Sequence, residues 1–222
     1  MLNRRKRILS ATKSSGGGPT YQQKILADGA IYYWPLDDTA GPVIDKVGAV
    51  NGTIVGTVQR GVTGPGADKV MSFAGAGSVS LPVITIPAIS TVELWVKTSS
   101  LIQYNVLFTN RTAAQSTNYL FMIQDGSFIF SCTGAGLNST TSNYNNGAWH
   151  HIVLTANGPT MVLYKDKVTD ATNMTGTVGA TSAVGKICND DFSPGGVAAI
   201  GDIAIYPRVL SPAEVQAHFA LR

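Results

Sequence analysis

From Thr91 to Lys97 the chain alternates strictly, with Val92, Leu94 and Val96 on one face of an extended backbone and Glu93, Trp95 and Lys97 on the other. A period of two is that of a β-strand with one fully dry side. Comparable short runs of β-branched and aromatic residues recur at Ile31–Leu36, Thr53–Val58, Val70–Phe73, Val79–Leu81, Asn105–Thr109, Tyr119–Gln124, Phe128–Cys132, Trp149–Ala156, Thr160–Lys165, Gly185–Cys188 and Ala198–Tyr206. Gly, Asn, Asp and Pro separate them, and about a dozen such strands predict an all-β, two-sheet antiparallel sandwich. Two turns fix neighbours. Asp125-Gly126 suits a two-residue hairpin whose central positions both need positive φ, and Asn157-Gly158-Pro159 does the same for the next pair. Tyr21–Leu26 predicts a short helical turn. Ser211-Pro212-Ala213-Glu214 is a capping box with proline at the first helical position, so a C-terminal helix carrying Val215 and Phe219 is expected, packed on the sandwich edge.

Composition and charge divide the chain further. A hydrophobic fraction of 44%, 24 glycines and 13% charged residues fit a buried core joined by tight turns. The net charge of +3 is localised: Arg4, Arg5, Lys6, Arg7 and Lys13 precede Pro19 with no acid among them, leaving 11 basic against 13 acidic residues in the remainder. Residues 1–20, with Ser14, Ser15 and Gly16–Gly18, lack the apolar content to fold alone and read as a basic N-terminal arm that anchors to a partner. Residues 21–222 read as the sandwich. No apolar run is long enough to span a bilayer, and no apolar signal core follows the basic start, so synthesis inside a cell is expected. Cys132 and Cys188 have no zinc-ligand spacing and read as buried thiols.

Three segments carry a resemblance. YYWPLDD from Tyr32 to Asp38, followed by Asp45 and the Gly48–Gly52 turn, is similar to an opening strand and Asp/Gly-rich loop; VELWVK from Val92 and NNGAWHHIVLTANGPTMVLYKD from Asn145 resemble a central hairpin; IGDIAIYPRVLSPAEV from Ile200 looks like a closing strand and capped helix. Together they resemble the concanavalin A-like lectin/glucanase superfamily, specifically its laminin G-like jelly rolls. The resemblance implies a curved pair of antiparallel sheets but leaves activity open, because members of one fold bind sugars, bind proteins or assemble. The stretch YQQKILADGAIYYWPLDD also looks like laminin G-like proteins of tailed bacteriophages.

Glucanases on this fold use two facing carboxylates, one as nucleophile and one as acid. The chain has only Glu93 and Glu214, and Glu214 belongs to the capping box, so an active glycosidase is not expected. His150 and His151 are adjacent and must point to opposite faces of a strand; one is expected in the core and the other exposed. Related sandwiches hold calcium between the opening loop and the closing strand, which makes Asp37, Asp38 and Asp45 candidate ligands on one side and Asp202 on the other, although Gly201 stands where the family commonly has aspartate. Asn189, Asp190 and Asp191 read as a solvated turn. For sugar binding the need is an exposed ring flanked by amides; Tyr144 leads, with Asn143, Asn145, Tyr104, Asn105, Asn118 and Tyr119. The resulting expectation is a non-enzymatic, multi-copy virion protein on a bacteriophage capsid or tail, anchored through Arg4–Arg7 to other virion proteins and displaying a lectin-like sandwich toward host-surface glycans. The alternative is a bacterial carbohydrate-binding or adhesion module.

Overall fold

About a dozen expected strands become 15 among the described residues: Gly56 divides one expected run between two sheets, and Ala135–Asn138 and Val168–Asn173 add strands that alternation did not reveal. The computed structural model describes residues 18–111, 119–132, 134–173, 176–190 and 195–222. The basic arm with Arg4, Arg5, Lys6 and Arg7 lies outside them, as do Asn118 and Asp191. In chain order the elements are α1 (Tyr21–Ala27), β1 (Tyr32–Trp34), β2 (Thr53–Val55), β3 (Val58–Thr63), β4 (Lys69–Ala74), β5 (Ser78–Ile86), β6 (Ser90–Lys97), β7 (Asn105–Thr109), β8 (Leu120–Gln124), β9 (Ser127–Cys132), β10 (Ala135–Asn138), β11 (Trp149–Asn157), β12 (Thr160–Lys165), β13 (Val168–Asn173), β14 (Thr181–Ile187), β15 (Val197–Tyr206) and α2 (Pro212–Phe219). One sheet runs β13-β12-β11-β6-β15-β4-β3, with β1 also on β15; the other runs β10-β9-β8-β7-β14-β5-β2. The strand pairings among the described residues are antiparallel, which makes a jelly-roll sandwich. No helix among the described residues is long and apolar enough to cross a membrane.

The expected strand Thr53–Val58 is corrected here. Gly56, at φ 71°, turns the chain from the second sheet (β2) into the first (β3). A Cβ at Gly56 would meet the Ala76 carbonyl oxygen at 2.1 Å, and one at Gly77 would meet the Thr57 carbonyl oxygen at 2.0 Å, so two crossings pass side by side where only glycine fits. The Asp125-Gly126 hairpin forms as expected, both residues at positive φ. In the second hairpin Asn157 still pairs with Thr160, so Gly158 and Pro159 alone make the turn.

Val92, Leu94 and Val96 of β6 face the inter-sheet core with Ile152 and Leu154 of β11, against Phe108, Phe121, Phe128 and Phe130 of the opposite sheet. Cys132 and Cys188 are buried thiols there. Full burial of one such large apolar side chain stabilises by roughly 1.5–3 kcal/mol.

The other face of the first sheet was expected to be wet, and over half its length it is not. Both helices lie on it, so α2 covers a face and not an edge. Tyr21 and Ile25 of α1 and Val215 of α2 pack with Trp95, Val153, Tyr164 and Tyr206. Each helix starts with a complete capping box, Thr20 with Gln23 and Ser211 with Glu214, which satisfies end N–H groups the short helices leave open.

Beneath the helices sits Glu93, 0% exposed. Its carboxylate accepts from the Tyr206 hydroxyl (2.6 Å), His151 Nε2 (3.2 Å) and His218 Nδ1 (3.0 Å). The other nitrogen of His218 reaches Asp28 at 2.6 Å, and Asp28 also holds Lys24. Neither adjacent histidine is exposed, a correction: His151 stacks on Trp95, while His150 lies between Asp166 and Asn146. With carboxylates at both nitrogens, His218 is an imidazolium. Burial opposes its charge, yet the hydrogen bonds and charges of Glu93 and Asp28 prevail and raise its pKa. Burial likewise pushes Glu93 up, but the two histidines outweigh it and bring the carboxyl to about 2.

The stability consequence follows by linkage. Glu93, depressed from about 4.5, contributes stability above that pH and loses it as pH falls toward about 2. His218, raised from about 6.5, contributes fully below that pH and loses it as pH rises through the folded value. Melting temperatures across pH should therefore peak between about 4.5 and 6.5. Glu93→Gln should cost about 3–5 kcal/mol and flatten both limbs; an unchanged profile would remove the network from the stability account.

Candidate functional site

The helices leave the far end of the same face bare. Cross-strand register aligns Trp149 of β11 with Lys97 of β6, Lys97 with Ala199 of β15, and Ala199 with Ser72 of β4, all on the outer face. These residues line a shallow groove of about 280 Å³, closed at one end by Ser99 and Gly147 and at the other by Val62 and Thr63 of β3. The indole of Trp149 is half-buried, one side packed against the cluster under the helices. Lys97 is exposed and makes no ion pair with any described residue.

Loops hold this end in shape. The Gly147 amide donates to the Thr98 carbonyl (2.9 Å) and the Asn145 side-chain amide to the Ser100 carbonyl (3.2 Å), fastening the 139–148 loop to the 98–104 loop. Thr98 Oγ1 donates to the Val197 carbonyl at 2.6 Å. Asn105, buried on the opposite sheet, grips both polar groups of Val197, accepting from its N–H at 2.8 Å and donating to its carbonyl at 3.1 Å. The groove floor is thus fixed to both sheets.

Of the residues expected to bind sugar, those of the 98–104 and 139–148 loops and Asn105 lie at this end, whereas Tyr119 lies at the other end of β6. Tyr144 is 0% exposed: its hydroxyl donates to Asp170 at 2.6 Å, and Lys165 lies 4.1 Å above its ring. Asp170 also accepts from the Thr141 amide, so Tyr144 pegs the loop into the core and presents no face to a ligand. Tyr119 is also buried, its hydroxyl 3.1 Å from Ser90 Oγ. Asn105 and Asn145 are structural amides. Asn143, exposed at φ 67°, and Tyr104, 45% exposed at φ 63°, stand on the two loops without a role in the groove lining. Trp149 and Lys97 went unnoticed in the sequence. Both sit on the non-core face of an alternating strand, but only the β6–β11 register reveals that they stand opposite one another.

A second cleft, about 370 Å³, gathers Asp37, Asp68, Asp202, Tyr33 and Arg222. It contains Asp37 and Asp202, two of the four expected calcium ligands. Both oxygens of Asp45 are occupied by backbone N–H groups, Oδ1 by Tyr33 and Val47 (3.0 Å each) and Oδ2 by Gly48 (3.0 Å) and Val50 (3.1 Å), so Asp45 is the clasp of the opening loop. Asp202 accepts from the Tyr33 hydroxyl (2.6 Å) and from the Arg222 guanidinium (2.5 Å), which also pairs with Asp68 and lies over the Tyr21 ring. Gly201 has no room for a carboxylate, since its Cβ would meet Val70 at 2.5 Å. The positive charge in the described lining of this cleft is supplied by Arg222 and Lys69. Asp190 is corrected as well: it is buried and pairs with Arg111 at 2.6 Å, not solvated. A third cleft, at the β10 and β13 edges, offers Asn138, Thr140, Thr172 and Asn173 but no aromatic ring.

These two antiparallel sheets with their capping helices define a jelly-roll of the lectin type. The chain belongs to the concanavalin A-like lectin/glucanase superfamily, whose laminin G-type family matches residues 73–216. No curated protein matches it. Among solved structures it is similar to domain 4 of AbnA, a GH43 extracellular arabinanase from Geobacillus stearothermophilus, in complex with arabinotriose, with a TM-score of 0.69 and 18% identity over 86% of this chain and 98% of that one. It is also similar to the binding domain of Paraclostridial Mosquitocidal Protein 1 (TM-score 0.68, 15% identity, 87% of this chain) and to the receptor binding domain of a botulinum neurotoxin mosaic serotype C/D (0.64, 16%, 87%). The chain spans about half of those two, 52% and 51% respectively. At these identities the likeness is one of fold.

Because both oxygens of Asp45 are taken by backbone N–H groups and Asp202 is paired with Arg222, adding millimolar calcium should leave the melting temperature unchanged to within about 1 °C. A native-state site filled 100-fold above its dissociation constant would add about 2.7 kcal/mol and a rise of several degrees, which would restore the calcium expectation.

Proposed function

We propose that the chain is a non-catalytic carbohydrate-binding module that seats a sugar ring on Trp149 in the groove of the first sheet. The observation that carries this reading is the half-buried Trp149 at one side of a groove whose lining also carries the hydroxyls of Ser99, Ser72 and Thr63. An indole is a large, rigid stacking face, and hydroxyl neighbours accept and donate to a sugar's own. The arabinotriose bound to the arabinanase domain and the receptor-binding role of the toxin domains support it by analogy of fold. A glycosidase reading is disfavoured because Glu93 is sealed under two helices and Glu214 is bound to Arg208 and Ser211.

An exposed stacking site of this kind gives dissociation constants on the order of 10 μM to 1 mM. Calorimetric titration across a panel of plant and bacterial oligosaccharides should find such a ligand, with no reducing ends released. Trp149→Ala should weaken it about tenfold or more, and Trp149→Phe should recover part of the loss. Binding that survives Trp149→Ala would place the site elsewhere.

The wider setting we propose is a bacteriophage particle, capsid or tail, on which many copies are attached through Arg4, Arg5, Lys6 and Arg7 and turn the sandwich outward to host glycans. Its support is the segregation of charge before Pro19. Deleting residues 1–17 should shift the melting temperature by less than about 2 °C yet abolish attachment to particles lacking the protein. Full occupancy by the shortened chain would show that the sandwich itself docks.

A further inference from the structure

Among the described residues the groove contains one charge and no counter-charge: Lys97 is the sole ionisable side chain in its described lining, which includes no carboxylate. Neutral sugars are commonly held by carboxylates and amides that take two hydroxyls at once; here that chemistry is missing and an unpaired ammonium stands in its place. Directly opposite residues of an antiparallel pair have Cβ atoms about 5 Å apart, so the Lys97 stem rises beside the Trp149 ring. A pyranose stacked on that ring would carry a substituent at its rim within reach of the ammonium.

We propose that the groove is selective for acidic glycans, specifically chains with one ring carboxylate per sugar, the uronate hooking Lys97 while its ring lies on Trp149. This rests on the reading of the groove as a sugar site. A single lysine matches a single carboxylate for each stacked ring. Densely sulfated chains need several cations in a row, and the described part of the groove has one. The ammonium is exposed, so its contribution is modest and sensitive to salt.

The test titrates the whole chain, at low salt, with pentagalacturonate, its fully methyl-esterified form, arabinotriose and dextran sulfate. The acid should bind about three- to tenfold tighter than its ester, and raising salt should erase the difference. Lys97→Gln should remove that preference, bringing the acid down to the ester's affinity; Trp149→Ala should weaken both. Equal binding of acid and ester, with Lys97→Gln silent and Trp149→Ala damaging, would overturn the acidic selectivity and leave the groove as a neutral-sugar site. Dextran sulfate bound more tightly than pentagalacturonate through Lys97 would overturn the carboxylate assignment. Affinity for any of these that ignores Trp149, or affinity for none, would overturn the inference and the groove together.

Discussion

A carboxylate with no water around it governs this fold. Glu93 lies in the middle of the central strand of one sheet, where an uncompensated charge would be costly enough to forbid folding. Its compensation arrives from far along the chain: His151 from the neighbouring strand, Tyr206 from the closing strand and His218 from the last helix. His218 in turn binds Asp28, just past the first helix, so one imidazolium fastens both ends of the described chain to the same sheet face. Arg208 reinforces this by donating to the Asp28 carbonyl and to Glu214 at the same time. Apolar packing gives most of the stabilisation, but this network decides where the helices sit.

Where the helices sit decides in turn what remains open. They cover the half of the sheet around Glu93 and Trp95 and end short of Trp149, whose indole therefore has packing on one side and a groove on the other. The loop pegged by Tyr144 and tied by Asn145 closes that groove at its end. A polar network built for stability and a surface suited to recognition are thus two ends of one face. The cleft around Arg222 follows a different logic, since its acids are held by a guanidinium and its tyrosine faces are already covered.

Much of the sandwich was legible in single strands. Alternation in Thr91–Lys97, the Asp125-Gly126 turn and the Ser211 capping box each state their structure within a few residues, because the forces involved are local. What could not be read depends on register. Glu93 looked like a surface residue on a one-sided strand, and nothing near it in sequence announces His218, 125 positions away. Tyr144, in an Asn-rich loop, had the composition of a binding residue, yet Asp170, on a strand that alternation did not reveal, draws its hydroxyl inward. Trp149 and Lys97 were passed over for the converse reason: each belongs to an ordinary strand, and only pairing across the sheet makes them neighbours.

The chain's 3 tryptophans occupy three separate environments, which gives the central claim a direct reading. The Trp34 indole donates to the Val50 carbonyl in the inter-sheet core, Trp95 donates to the Tyr21 hydroxyl under the helices, and Trp149 lines the groove. The decisive measurement is a titration of ¹⁵N-labelled protein with pentagalacturonate, following the three indole N–H resonances. The account predicts a saturable shift of the Trp149 signal with Trp34 and Trp95 unmoved. A shift confined to Trp95, or saturable binding with all three signals still, would contradict it.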